Sequence, residues 1–189
     1  MFSNKMNYHD YLQIDRLLSC QKLESENRGQ KAHDEMLFIV VHQVYELWFK
    51  LILTEIDSVL EIFAGQKVDE KLMDLIVSRL QRVVEVQKLL VDQVRIMETM
   101  TPLDFLEFRD LLIPASGFQS LQFRTIECKL GLRQGDRLKY NHAGFEQSLK
   151  PEQRPVAAAF ENQTSLFDVV EKWLERESDT LLVATVNGE

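Results

Sequence analysis

The chain has 189 residues, of which 45% are hydrophobic and 28% are charged, and its formal net charge at pH 7 is −8. This composition is typical of one globular domain with a substantial core, and we expect a single domain over residues 1–189. The acidic balance, without a basic run, argues against binding to nucleic acid, whose phosphates require clustered cations. It argues in the same way against binding to an anionic membrane surface.

The cysteines and the N-terminal segment bear on the cellular compartment. Cys20 and Cys128 lack the CxxC spacing of zinc ribbons and redox motifs, so two reduced thiols are expected. The segment MFSNKMNYHDYLQ has no apolar core of the signal-peptide type. No stretch reaches the run of roughly 20 apolar residues that crosses a bilayer. These features predict a cytoplasmic protein that does not associate with a membrane.

Hydrophobic spacing predicts helices along the first third of the chain. A short amphipathic helix is expected over residues 8–20, followed by a polar and mobile loop at 21–31. Asp34 then caps a long helix within residues 33–63. Because this helix is apolar on every side around residues 36–41, we expect it to be the central buried helix.

The rest of the chain also predicts helices, and therefore an all-α fold. A helix over residues 69–99 carries an apolar stripe that is typical of packing against a neighbouring helix. Thr101 to Asp104 form a capping box whose helix should end before Pro114. The remaining predictions are a helix over 118–130 capped by Ser116, a polar loop at 133–147, a helix over 151–162 interrupted near Pro155, a helix over 166–176 behind a capping box of Ser165 and Asp168, and a tail from 180 without a partner strand.

His42 is the histidine with the most unusual surroundings, because apolar residues flank it on the long helix. One interpretation is a neutral core histidine that a backbone carbonyl satisfies, and the other is a functional group. Glu46 follows one turn later, but a single His-x-x-x-Glu pair is weak evidence for a metal. The Glu-x-x-His motif of di-iron centres is absent, as are the HExxH, GxSxG and P-loop motifs. The sequence therefore identifies no metal ligand.

Arg109 lies among aromatic and aliphatic residues on the helix that ends before Pro114. A buried guanidinium requires an anion, because its charge is permanent and its desolvation is expensive. The anion can be the carboxylate of a ligand or a side chain of the same helix, namely Asp104, Glu107 or Asp110.

The segment PASGFQS at residues 114–120 predicts a tight turn that leads into a helix. Backbone N–H groups at a helix N-terminus suit carboxylate or phosphate oxygens. An ordinary corner between two helices explains the same pattern, so both interpretations stay open for this turn.

Three longer segments resemble one enzyme family. HDEMLFIVVHQVYELWFKLILTEIDSVLEIF, METMTPLDFLEFRDLLIPASGFQSLQFR and YHDYLQIDRLL are similar to tryptophan 2,3-dioxygenase, and the resemblance extends from about Tyr8 to Arg176. It implies a helical bundle of the tryptophan 2,3-dioxygenase type, assembly as a homotetramer and a b-type haem. It also implies insertion of both atoms of O₂ across the C2–C3 bond of the tryptophan indole, which gives N-formylkynurenine.

The resemblance assigns roles to the residues around the two candidate groups. His42 matches the distal histidine that accepts a hydrogen bond from the indole N–H. Phe38 matches an aromatic wall of the substrate pocket. Arg109 matches the arginine that pairs with the substrate carboxylate, so the resemblance supplies an anion for it. Phe105 stands where some relatives carry tyrosine, which implies that one supplementary contact to the carboxylate is missing.

Two further segments match parts of the family's active site. Ser116 and Gly117 match the turn beside the haem edge. Tyr8, Tyr11 and Leu12 match an N-terminal segment that reaches into the pocket of a neighbouring subunit. The chain is therefore expected to form an oligomer, either a dimer or a tetramer.

The proximal haem ligand of the family has no counterpart in this sequence. That ligand is a histidine near the C-terminal end, followed by a loop rich in glycine and serine, and His142 does not match it. The chain thus resembles an N-terminal half with an unrelated final segment, LLVATVNGE. Two functions are expected from these features. The first is a haem-dependent dioxygenase that acts on L-tryptophan or a related indole and takes its axial ligand from elsewhere. The alternative is a non-catalytic helical scaffold or indole-binding protein.

Overall fold

The computed structural model describes residues 6–65, 68–137 and 149–187 of the chain. Within these ranges the protein is all-α and contains no strand, which confirms the predicted fold class. The described residues form two compact units. The first unit comprises those up to Gln43 together with Val94–Pro114, and the second comprises Val44–Gln93 and those after Pro114.

The first unit is built from short helices and from one end of each long helix. Gln13 adopts a left-handed conformation with φ 54° and breaks the predicted helix over 8–20 into two. In chain order its elements are α1 (Tyr8–Leu12), α2 (Ile14–Leu18), α3 (Glu24–Asn27), the start of α4 (Glu35–Phe63), the end of α5 (Glu70–Met97), α6 (Pro102–Arg109) and the 3₁₀ turn Asp110–Leu112.

The segment before α4 differs from the loop predicted at 21–31. It contains the helix α3, and Leu23, Ser25 and Ala32 are buried. The sequence prediction was wrong here because the polar residues of this segment obtain hydrogen-bond partners from α4, which local composition does not reveal.

The capping box predicted before α6 is confirmed. The backbone N–H of Thr101 donates to a carboxylate oxygen of Asp104 at 2.9 Å, and the N–H of Asp104 donates to the Thr101 hydroxyl at 3.3 Å. These hydrogen bonds hold the pKa of Asp104 below its ordinary value, with the bond from the Thr101 hydroxyl as the largest cause. The helix ends at Arg109, before Pro114 as expected.

The second unit holds the remainder of α4 and α5 together with the C-terminal helices. The helix α5 begins at Glu70, one residue after the predicted start at 69. Asp69 precedes it, and its carboxylate accepts a hydrogen bond from the N–H of Leu72 at 2.9 Å. The other elements are the 3₁₀ turn Gly117–Gln119, α7 (Leu121–Leu130), the 3₁₀ turn Gln134–Asp136, α8 (Arg154–Glu161) and α9 (Leu166–Asn187).

Two clusters of buried side chains form the core of the second unit. The first consists of Ile52 and Ile56 on α4, Val83, Val86 and Leu90 on α5, and Ile126 on α7. The second joins Val59 and Phe63 on α4 to Ile76 on α5, with Trp173 of α9 packed against them. The stripe on α5 therefore packs as predicted over Ile76, Val83 and Leu90, since helical spacing places these residues on one face.

The expectation that α4 is buried on every side is wrong. Met36, Val40 and Leu47 are exposed, whereas Val41, Ile52, Ile56 and Val59 are buried. Apolar periodicity shows which residues can be covered, and the described residues leave part of the apolar surface of this helix open.

The helix α4 bears on the expectation that no run of roughly 20 apolar residues is present. By length and composition alone, α4 meets the requirement for crossing a membrane, with a mean hydropathy of 1.6 over its most apolar window. Core helices of soluble proteins meet the same requirement. Ile52 and Ile56 of this helix pack against α5 in the core of the second unit.

Several C-terminal predictions need correction. Ser120, not Ser116, caps α7, which begins at Leu121. Pro155 lies in the first turn of α8 and does not interrupt it, because proline lacks only an N–H that is unpaired there in any case. The helix α9 continues to Asn187, beyond the predicted end at 176 and through most of the predicted tail. Residues 138–147 of the predicted loop, with His142, lie outside the described residues.

Candidate functional site

Phe38 and His42 lie one turn apart on α4, in the first unit. Their rings are in contact, with centroids 4.1 Å apart and planes inclined at 34°. The imidazole Nδ1 of His42 lies 2.7 Å from the backbone carbonyl oxygen of Phe38. A carbonyl oxygen can only accept, so Nδ1 carries the proton and Nε2 of the neutral ring is left as an acceptor. The ring is exposed, which contradicts the core-histidine interpretation, although the carbonyl contact of that interpretation is present.

Three phenylalanines form an aromatic cluster beside His42. Phe38 stacks on Phe105 at a centroid distance of 5.7 Å and meets the edge of Phe108 at 5.6 Å. Phe105 and Phe108 are perpendicular to each other at 5.4 Å. These are the offset and edge-to-face arrangements that aromatic quadrupoles favour. Phe108 is completely buried, so it anchors α6 to α4 and leaves Phe38 and Phe105 partly open.

Arg109 lies at the end of α6, one turn after Phe105. Its guanidinium carbon is 5.8 Å from the centre of the Phe105 ring, within the range of a cation–π interaction. The side chain is exposed, so the expectation of a buried guanidinium is wrong. Among the described residues Arg109 makes no ion pair, and the alternative of a partner on its own helix is therefore not supported. Its side chain lies on an aromatic surface and is open to solvent.

The arrangement of Phe38, His42, Phe105 and Arg109 presents three different kinds of contact side by side. The aromatic rings provide an apolar surface, Nε2 provides a hydrogen-bond acceptor, and the guanidinium provides a planar pair of donors for an oxyanion. These groups suit a flat heteroaromatic molecule with an N–H group and a carboxylate.

Ser116 and Gly117 lie in the second unit. The Ser116 hydroxyl accepts a hydrogen bond from the N–H of Phe118 at 3.3 Å, and the Ser116 N–H donates to Gln119 at 3.2 Å. Ser116 thus caps the short turn at Gly117–Gln119. A side-chain carbon at Gly117 would meet nothing within 4 Å, so the turn has open space beside it.

Tyr8, Tyr11 and Leu12 lie on α1 and project into solvent. Tyr8 and Tyr11 are each 70% exposed, and Leu12 is 42% exposed. Exposed aromatic residues on one short helix are typical of a segment that packs on another molecule.

A haem iron takes a single axial side-chain ligand, and the geometry of the described residues assigns that role to none of them. Among them, no three His, Cys, Asp or Glu side chains are grouped for a metal. Nε2 of His42 cannot bind iron and accept an indole N–H at the same time. Cys20 and Cys128 are unpaired thiols, as predicted, and burial raises the pKa of the Cys128 thiol, which disfavours the thiolate that a metal requires. None of these three side chains is therefore assigned as the axial ligand of a haem.

Sequence reasoning missed two residues of this region. Phe108 was not identified as a candidate residue, although its spacing of three from Phe105 places both rings on one helix face. Glu35 was not singled out, yet its carboxylate is buried beneath α3. Nothing in the local sequence indicates that this side chain reaches back to residues 24 and 25.

Comparisons with known proteins agree on one family. The family model for tryptophan 2,3-dioxygenase matches residues 1–181. A tryptophan 2,3-dioxygenase of Bdellovibrio bacteriovorus is 56% identical over 171 residues, which cover 90% of this chain and 48% of that protein. The corresponding protein of Alteromonas mediterranea is 50% identical, with 89% of this chain and 47% of that protein covered. For the Xenopus tropicalis protein the identity is 51%, and the coverage is 89% and 42%. The chain spans about half the length of the curated relatives it matches.

Proposed function

Because this chain belongs to the tryptophan 2,3-dioxygenase family, we propose that Phe38, His42, Phe105 and Arg109 bind L-tryptophan or a related indole carboxylate. The observation that carries this proposal is the exposed His42 ring, whose Nδ1 is engaged by the Phe38 carbonyl. This contact leaves Nε2 available for the indole N–H. The reaction proposed for the bound L-tryptophan is oxidative opening of its indole ring by O₂, which gives N-formylkynurenine.

The aromatic residues and Arg109 orient the substrate in this proposal. Phe38 and Phe105 stack against the indole, and the Arg109 guanidinium pairs with both oxygens of the carboxylate. A planar two-oxygen pairing fixes the direction of the ligand as well as its charge, which a single lysine ammonium does not. Such alignment of the reacting bond is a large part of catalysis in enzymes of this kind.

The cofactor of the family is haem b, and we propose that Ser116 and Gly117 form the turn beside the haem edge. This assignment comes from the family resemblance, and the open space beside Gly117 is compatible with it. Because no described residue is assigned as the axial ligand, the role that we propose for this chain is to bind and orient the substrate. The alternative function is a helical scaffold or indole-binding protein without turnover.

The assembly and location are also proposals. We propose that both units belong to one domain and that the chain forms a dimer or tetramer in the cytoplasm, with α1 packed on a neighbouring subunit. The exposure of Tyr8 and Tyr11 supports this packing. Light scattering at micromolar concentration measures the assembly directly, and a monomer would contradict it.

Calorimetric titration tests the binding function. L-tryptophan, tryptamine and 1-methyl-tryptophan differ by the carboxylate and by the indole N–H. We expect L-tryptophan to bind more tightly than either analogue, because each analogue lacks one of the two polar contacts. Equal affinities for the three ligands, or no binding, would overturn the proposal. Formation of N-formylkynurenine after addition of haemin distinguishes the dioxygenase from the indole-binding protein.

A further inference from the structure

We propose that Glu35 is a positioning residue, which holds α3 against the end of α6 and so sets the direction of Arg109 relative to Phe38 and His42. All of these residues lie in the first unit. The consequence for ligand binding rests on the proposed function, whereas the mechanical link between Glu35 and Arg109 does not.

The carboxylate of Glu35 is the first link. Glu35 is 1% exposed, and one of its oxygens accepts the backbone N–H of Glu24 at 2.7 Å. The other oxygen accepts the backbone N–H of Ser25 at 2.9 Å. A buried carboxylate is costly unless such bonds replace its hydration, and charge-assisted bonds are the stronger kind. Among the described residues Glu35 makes no ion pair, so these backbone donors are its main stabilising contacts.

The segment that carries α3 is closed on itself around Ser25. The Ser25 hydroxyl accepts the N–H of Ala32 at 3.1 Å, and the Ser25 carbonyl accepts the N–H of Gln30 at 2.9 Å. Ser25 is completely buried and Ala32 is 4% exposed. The segment therefore holds its own shape and is fixed to the first residue of α4, one turn before Phe38.

The same segment supports the end of α6. The helix α3 packs against the 3₁₀ turn Asp110–Leu112, which begins directly after Arg109. On the other side of Arg109, Phe108 packs against Phe38. Two contacts thus hold the backbone on either side of Arg109. One runs from Glu35 through α3 to the 3₁₀ turn, and the other joins Phe38 to Phe108. Because Arg109 is exposed and has no ion pair among the described residues, its direction depends on these backbone supports and on its contact with the Phe105 ring.

The variant Glu35→Gln tests the link. An amide offers one acceptor oxygen in place of two, and its NH₂ group then faces a backbone N–H donor. Nuclear magnetic resonance of the protein should show faster amide exchange at Glu24 and Ser25, together with shifted resonances of Arg109. The matched control is Glu26→Gln, an exposed change on α3, which should leave the resonances of Arg109 unchanged. Faster exchange at Ser25 with native Arg109 resonances would overturn the proposal.

Ligand binding provides the second readout. We expect Glu35→Gln to weaken the binding of L-tryptophan about tenfold, the scale of a modest misalignment. The binding of tryptamine should weaken less than about twofold. Equal weakening of both ligands would mean a general loss of structure and would overturn the role in positioning. If the native protein binds neither ligand, the proposed function fails, while the resonances of Arg109 still decide the mechanical link.

A second variant covers the case in which Glu35→Gln does not fold. Ser25→Ala keeps the Glu35 carboxylate and removes only the acceptor for the Ala32 N–H. It should loosen α3 and shift the resonances of Arg109 in the same direction as Glu35→Gln, by a smaller amount. Native resonances of Arg109 in this variant, with faster exchange at Ala32, would contradict the proposal.

Discussion

The imidazole of His42 is held by the backbone carbonyl of Phe38, with 2.7 Å between Nδ1 and the oxygen. This bond lies within one turn of α4 and needs no other element. In the neutral form of the ring it favours the tautomer in which Nδ1 carries the proton and Nε2 is an acceptor. A histidine arranged in this way is an acceptor, which is the role required for contact with an indole N–H.

Replacement of His42 by alanine should weaken L-tryptophan by about 0.5–1.5 kcal/mol, the net value of a neutral hydrogen bond. The free energy of unfolding should change little, because the ring is exposed. Calorimetric titration with L-tryptophan and 1-methyl-tryptophan measures the first effect. The methylated ligand has no N–H to donate, so its affinity should be unaffected by the substitution.

The control for this prediction is His33→Ala, an exposed histidine that precedes α4. It should alter neither ligand affinity. A large loss of stability in His42→Ala, measured by chemical denaturation, would instead support a structural role for the imidazole.

The sequence predicted those parts of the fold that depend on local hydrogen bonds. The capping boxes at Thr101 and Ser165 are present with both of their bonds, because each involves residues three apart in the chain. The break at Gln13 was not predictable, since glutamine has no preference for a left-handed conformation. The structured segment at α3 was missed for a different reason, because its main support comes from Glu35 at a distance along the chain.

The candidate site was only partly predictable. The spacing of Phe38 and His42 placed both side chains on one face of α4, which the ring contact confirms. Burial was overestimated for His42 and for Arg109, since apolar neighbours in sequence do not show whether another element covers them. The roles of these residues in binding remain predictions.

Alanine substitutions at Gly131 and Gly29 should separate backbone strain from steric overlap. Both glycines have positive φ, 101° and 76°. A side-chain carbon at Gly131 would lie 2.7 Å from Cβ of Phe167, whereas at Gly29 it would meet nothing within 4 Å. We expect Gly29→Ala to cost about 1–2 kcal/mol from strain alone. Gly131→Ala should cost about 2–5 kcal/mol, because the overlap adds to the strain.

Chemical denaturation of the two glycine variants measures these costs. The Cβ of Phe167 is attached directly to the backbone and cannot move aside as the end of a flexible side chain can. Equal costs for the two variants would show that α9 shifts without penalty, and would contradict the close approach at Gly131.

Asp168 should make the stability of the protein depend on pH. The backbone N–H and the hydroxyl of Ser165 donate to its carboxylate, and these bonds hold the pKa of Asp168 below its ordinary value of 3.8. A carboxyl whose pKa is lower in the folded chain stabilises it above the unfolded pKa, and this contribution is lost as the pH falls through the folded value.

Denaturation of the native protein and Asp168→Asn over a series of pH values tests this dependence. The native protein should be more stable near neutrality, and the difference in the free energy of unfolding should shrink as the pH falls below 3.8. The exposed change Glu175→Gln on the same helix is the control. A difference that does not vary with pH would show that the carboxylate charge is not involved.

Arg109 provides the sharpest test of ligand chemistry, because its guanidinium lies on the Phe105 ring and has no ion pair among the described residues. We expect Arg109→Lys to weaken L-tryptophan by about 1.5–3 kcal/mol, the scale of a charged hydrogen bond. Lysine keeps the charge but cannot present two parallel donors to a carboxylate. Tryptamine, which lacks the carboxylate, should bind almost as before.

The control for Arg109→Lys is Arg95→Lys, an exposed arginine at the end of α5. Calorimetric titration of L-tryptophan and tryptamine against the native protein and both variants gives the four affinity ratios that decide the matter. A loss confined to L-tryptophan and to the Arg109 variant supports the carboxylate contact. Equal losses for both ligands would mean that Arg109 acts through its stacking on Phe105, and the assignment of a carboxylate partner would have to be withdrawn.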